Sequence, residues 1–211
     1  KAYVLATLSA FQASAEEYDK SVLGVEESLE LARKTGKPGI INLCMTMACQ
    51  VYVHSKEYNK GKSLCEELLV SSEKLEHQYS IIAARHLLSD CALGGRNFKE
   101  AEKLYGLALE TALKYHNAYQ GGAELQGVAF ALSGQSRWAK SIRINAAARE
   151  HFRKIGVSIE GLIKFWDEWI ETYIGGAEEK LGEEMTRKCE EEGIAMGFDK
   201  AVEYALDFEK D

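Results

Sequence analysis

Segments with helix-spaced apolar residues alternate along the chain with short polar breaks, and the alternation itself repeats. An aromatic residue stands at Tyr18, Tyr58, Phe98 and Trp138, each 40 residues from the next. Three positions on comes a small residue, at Ser21, Gly61, Ala101 and Ser141; eleven positions on come Leu29, Leu69 and Leu109, then Arg149. One aromatic, small and leucine frame per fixed period is what a stacked array of helical hairpins writes into a sequence. The pattern therefore predicts an all-α fold, a solenoid of antiparallel hairpins with a 40-residue period.

The first unit reads as a helix from Ala2 to about Ala15, a turn at Ala15-Glu16-Glu17-Tyr18, and a second helix from about Asp19. The Asp19 carboxylate is placed to cap that second helix, which stops near Gly36-Lys37-Pro38-Gly39. Ile40 to Ser55 with Asn59 to Leu75 form the second unit, Ser80 to Leu93 with Lys99 to Tyr115 the third, and Gly122 to Leu132 with Trp138 to Ile155 the fourth. In the fourth unit Asn145 and Arg149 stand where earlier units have Val25, Cys65 or Tyr105 and then a leucine, so this surface should face something other than another repeat. The glycine pairs Gly94-Gly95, Gly121-Gly122 and Gly175-Gly176 read as helix punctuation, since no strand precedes any of them as a phosphate site would need.

After Val157 the period breaks. Ser158 is expected to cap a helix that carries Leu162, Ile163, Trp166, Trp169, Ile170 and Tyr173 on one apolar face, ended or kinked at Gly175-Gly176. Trp166 and Trp169 read as a plug that packs on the fourth hairpin rather than as an aromatic ligand platform. A very acidic helix follows to about Glu192, then a turn over Gly193 to Gly197 and a short last helix from Asp199 to Phe208. The expected organisation is four hairpins over 1–38, 39–78, 79–118 and 119–156, with an acidic helical cap over 157–211 that covers the last repeat.

The columns resemble the tetratricopeptide repeat, best at Phe98, Ala101, Tyr105, Ala108 and Leu109; these units have 40 residues rather than 34 and lack the closing proline, so both helices should be longer. The run from Arg137 to Gly156, then Leu181-Gly182-Glu183-Glu184, then Glu192-Gly193 through Phe198 to Leu206, is similar to the closing region of large bacterial signalling ATPases and LuxR-type transcriptional regulators. The resemblance implies a right-handed helical array, within a bacterial cytoplasmic protein that also carries a nucleotide-binding domain and an output domain.

Composition adds boundaries. With 28% charged residues, one proline and no apolar window long enough for a membrane span or an export leader, the chain reads as ordered, soluble and cytoplasmic. It begins at Lys1 inside a helical pattern, as a piece of a longer protein would. Cys44, Cys49, Cys65, Cys91 and Cys189 lack metal spacing and read as reduced core residues. Residues 1 to 157 hold 20 basic and 17 acidic groups and the remainder 6 and 16, so the tail is unsuited to nucleic acid. The runs Glu183-Glu184 and Glu190-Glu191-Glu192 read as a solvated helix face, with no calcium loop around them.

No phosphate loop, nucleophile elbow or metal motif is present, which leaves no cofactor and no metal to assign. The pair His86 and Asp90, four apart, has too few ligands for zinc. Counting back from the aromatic anchors, a tetratricopeptide register puts Thr46, His86 and Gln126 in one column of the concave face, and Gln50, Asp90 and Phe130 in the next. Asn42 and His54 extend that face in the second unit. Polar groups on a rigid wall suit a peptide backbone or a small polar ligand, against the alternative that the wall is polar because it sees water. The expected function is a non-enzymatic module that binds a protein, a peptide or a neighbouring domain. The rival is a rigid spacer or self-association domain in which the cap or the Tyr3-bearing first helix mates with another domain or copy, an exposed apolar first helix predicting dimers, and an enzyme built on His86 and a carboxylate is the remote third.

Overall fold

The computed structural model describes residues 1–159, 161 and 163–207, and among these there is no strand. The hairpin period resolves into a helix period of half its length. Helix α1 covers Ala2–Ser14, and then come seven helices of 17 residues each: α2 Tyr18–Lys34, α3 Pro38–His54, α4 Tyr58–Lys74, α5 Gln78–Gly94, α6 Phe98–Lys114, α7 Ala118–Gly134 and α8 Trp138–Lys154.

Three-residue links join them, and all use one geometry. The middle residue of each link, and its equivalent after α8, lies in the left-handed region: Glu16, Gly36, Lys56, Glu76, Arg96, His116, Ser136 and Gly156. At the end of α1 the Glu16 N–H donates to the Ala13 carbonyl and the Glu17 N–H to the Gln12 carbonyl, and the pairs recur at His116, Asn117, Ser136 and Arg137. This double bond is the Schellman closure, which satisfies the carbonyls a helix end would otherwise leave orphaned. Six of the eight left-handed positions hold residues other than glycine, and at five of them, Glu16, Lys56, Glu76, His116 and Ser136, this closure offsets a steric cost of about 1–2 kcal/mol.

Helix starts follow from the links. Each anchor aromatic is the first helical residue; Glu17 is the N-cap of α2 and makes no side-chain cap bond, so the cap expected at Asp19 is absent and Asp19 instead lies in the first turn. Pro38 occupies the first position of α3, where its fixed φ fits and its missing N–H costs nothing.

The chain divides into two compact units, Lys1–Gly95 and Arg96–Asp211, in an all-α, solenoid-like array in which helices within a unit pack on their sequence neighbours. In the first unit α1, α3 and α5 also pack on one another, α3 touching both. That inner position explains why α3 contains no Asp, Glu, Lys or Arg and buries residues on all sides, whereas α2 and α4 bury one stripe. The anchor aromatics fill notches in the next helix: a Cβ on Gly94 would fall within the Tyr58 ring, and in the second unit a Cβ on Gly134 would fall within the Phe98 ring. Gly121 and Gly122 lie inside α7 and do not punctuate it; they clear the rings of Phe198 and Phe152.

The second unit continues past α8. The chain is irregular over 157–159, so Ser158 caps no helix; α9 is Lys164–Trp169, with Ile163 as its N-cap. A π-helical turn, Ile170–Gly175, runs directly into α10, Gly176–Leu181, so the glycine pair marks a change of helix type rather than an end. Helix α11, Glu183–Leu206, is broken at Gly197 (φ 73°), while Gly193 remains helical. Position 193 needs a glycine because α11 rests there on the backbone of α8, where a side chain would fall on the Arg143 carbonyl. Leu162 and Phe208 lie outside the described residues.

Candidate functional site

The polar column expected to line a groove is interior. Asn42, Thr46, His54, Asp90, Gln126 and Phe130 are buried, and Gln50 and His86 keep partial exposure. In the first unit Ser71 Oγ donates to Asn42 Oδ1 (2.7 Å) and Asn42 Nδ2 donates to Ser72 Oγ (3.1 Å), which ties α3 to α4. Thr46 Oγ1 donates to the Asn42 carbonyl (2.9 Å) and lies 3.3 Å from Ser80 Oγ of α5. His54 hydrogen-bonds the Ala13 carbonyl, and burial holds its pKa below the ordinary imidazole value. The physical reason is the close stacking of the inner helices: a column that a wider array would show to solvent falls in the seam between helices, where its polar groups must find partners.

In the second unit the seam is closed by the tail. Trp166 Nε1 donates to Gln126 Oε1 (2.7 Å), and Gln126 Nε2 donates to Asn145 Oδ1 (2.8 Å). Phe130 meets Trp166 edge-on at 5.1 Å and stacks on Tyr173 at 6.0 Å. Ser133 Oγ donates to the Tyr173 carbonyl at 2.5 Å. The tryptophans therefore act as the expected plug, and Asn145, which breaks the repeat pattern, does so to bond Gln126.

The chemistry available at these groups is limited. His86 Nε2 lies 3.3 Å from Asp90 Oδ2. Cavities of about 520, 340 and 260 Å³ all lie in the second unit, and His86 lines none of them. The largest is bordered by Arg149, Arg153, Glu150 and Glu190, and Arg153 grips Glu150 through two bonds of 2.7 Å. That grip holds the Glu150 pKa at about 2, so cation and anion largely cancel. The thiols of Cys49, Cys65 and Cys91 interact across α3, α4 and α5; the hydrogen bond with Cys49 and burial push Cys65 far up against an opposing pull from Cys91, and the hydrogen bond with Cys65 and burial push Cys91 far up, away from the thiolate. Among the described residues no cluster of three or more His, Cys, Asp or Glu could hold a metal ion, and no helix is long and apolar enough to cross a membrane.

No protein-family model matches the chain, and no curated protein matches its sequence. Its surfaces must therefore speak for themselves, and one departs from the repeat. On α1, Val4 is 70%, Leu8 53% and Phe11 71% exposed. Their equivalents, one period apart, are Cys44, Ala48 and Val51 in α3, Ala84, Leu88 and Cys91 in α5, and Glu124, Val128 and Ala131 in α7; every one is buried. The apolar character of this helix is legible in the sequence, whereas its exposure beside a buried inner column is seen only in the fold. The signal for α1 was its 13 residues without a charged group.

Proposed function

We propose that the chain is a non-enzymatic interaction module whose working surface is the exposed apolar stripe of α1, not the inner polar column. The observation that supports this reading is the exposure of Val4, Leu8 and Phe11 at positions the repeat elsewhere buries. Apolar groups lined up on one helix face gain by being covered, and protein segments are the natural cover. In this reading, which draws on the resemblance of the columns to tetratricopeptide repeats and of the end of the chain to the closing region of LuxR-type regulators and signalling ATPases, the module belongs to a larger bacterial cytoplasmic regulator. There, occupancy of α1 by a protein, peptide or neighbouring domain would bias the array's conformation. The same stripe favours a second reading, self-association as a homodimer.

The test is a comparison of partners captured in the native context by the wild-type chain, a Leu8→Gln, Phe11→Gln variant and a Gln50→Ala, His86→Ala variant of equal thermal stability. Loss of a specific partner in the α1 variant alone supports the proposal. Loss in the Gln50 and His86 variant alone returns the function to the inner column. Concentration-dependent dimers abolished by the α1 variant would favour the second reading.

A further inference from the structure

The repeat shows what should cover α1, because it covers the equivalent face of the other odd-numbered helices. Cys91 occupies the Phe11 position of α5; it hydrogen-bonds Cys65 of α4 and sits over Gly61 of the same helix. Gly127 occupies the Thr7 position of α7 and is notched for Tyr105 of α6. Gly94 and Gly134 occupy the Ser14 position and are notched for Tyr58 and Phe98, the first residues of α4 and α6. The stripe Val4, Thr7, Phe11 and Ser14 is therefore the seat of an even-numbered helix. Its occupant should run antiparallel to α1, starting with an aromatic ring at Ser14, with a small residue three positions on and an apolar residue seven positions on.

Charge narrows the occupant further. Helices α2 and α4 are joined along their exposed sides by two ion pairs, Lys60 Nζ to Glu26 Oε1 (3.4 Å) and Arg33 Nη2 to Glu67 Oε2 (3.1 Å). One period before Lys60 and Glu67 stand Lys20 and Glu27 of α2, both exposed. Lys20 now reaches back to Glu17 at 3.0 Å, a pair within its own helix. The seat beside α1 is thus flanked by a cation and an anion that repeat the ladder's next rung, complementary to an acid and a base seven residues apart.

We propose that α1 is the docking surface for a further helix of the same repeat type, amphipathic and uncharged on its buried face, with an acid and a base on its α2-facing side. This rests on the interaction reading above and names the kind of partner. Helix α2 carries every required feature itself, in Tyr18, Ser21, Val25, Glu26 and Arg33, so a helix-stapled peptide of the sequence Tyr18–Lys34 is a suitable probe.

The experiment is fluorescence anisotropy of that labelled peptide with the full chain. Saturable one-to-one binding is expected. It should weaken at least tenfold for Phe11→Asp, an exposed position whose change leaves the circular dichroism of the chain unaltered. The variant Lys20→Glu, Glu27→Lys should weaken binding several-fold, with recovery when the peptide carries Glu26→Lys and Arg33→Glu. Absence of saturable binding, or binding indifferent to Phe11→Asp, would overturn the proposal. So would dimerisation of the chain through α1 that excludes the peptide. If the peptide fails while the α1 variant still loses a native partner, the interaction reading stands and this occupant is rejected.

Discussion

Helices α1 and α8 each carry a face that no hairpin among the described residues covers, and they treat it differently. At α8 the face has been rewritten and then covered. Asn145 and Arg149 replace apolar columns, Arg143 Nε bonds Glu192 Oε2 at 2.6 Å, and Lys140 Nζ donates to the Asp207 carbonyl (2.7 Å) while sitting 4.8 Å from the Tyr204 ring centroid. The acidic excess of the tail is thereby accounted for in part: Glu192 faces the basic side of α8, and Glu190 borders the same cavity as Arg149. Nothing comparable has been done at α1, where Val4, Leu8 and Phe11 retain the apolar character of an inner helix and remain exposed. One inner-type face of this chain is thus covered by the tail, and another, on α1, is exposed.

The comparison breaks most directly at Trp166. Its side chain is buried against Phe130 and bonded to Gln126, so Trp166→Ala should cost about 3–5 kcal/mol in urea unfolding. It should also expose Phe130, which would make the covered face resemble the open one. Gly193→Ala should cost about 1–3 kcal/mol, because the added carbon meets the Arg143 backbone and lifts α11 from α8. Smaller effects separate the links that follow the two helices. Gly156 has φ 72° and Glu16 has φ 65°, so Gly156→Ala should lower stability by about 1 kcal/mol. Glu16→Gly should raise it by somewhat less, glycine's greater freedom in the unfolded chain offsetting part of the gain. The smallest effect belongs to the open face: Phe11→Gln should move the stability of the chain by no more than about 0.5 kcal/mol.

The helical array was legible because buried columns repeat, and the anchors Tyr58 and Phe98 do pack on the following helix as their period implied. The 20-residue helix period, visible in the spacing of the left-handed residues, was hidden. Odd and even helices bury different faces, so residue types recur only every second helix, and six links use Glu, Lys, Arg, His or Ser where glycine would have marked the turn. Gly121, Gly122 and Gly193 misled in the opposite sense, since a glycine that admits a neighbouring ring or backbone looks in sequence like one that ends a helix. The inner column was placed in the correct register but given the wrong surroundings. Polarity alone does not distinguish a residue that meets water from Asn42 or Gln126, whose amides are consumed by Ser71, Ser72, Asn145 and Trp166. The ion-pair rung at Lys20 and Glu27 needed the Lys60 and Glu67 contacts to be seen before its register had meaning.

The contrast between the two faces is most directly tested by hydroxyl-radical labelling of the full chain, read residue by residue in a mass spectrometer. Phe11 and Phe130 are the same side chain on α1 and α7, one exposed and the other buried beneath the tail. The account predicts that Phe11 is oxidised many times faster than Phe130 and that Trp166 is protected along with Phe130. Comparable rates for the two phenylalanines, whether through shielding of α1 or an uncovered α7, would contradict it.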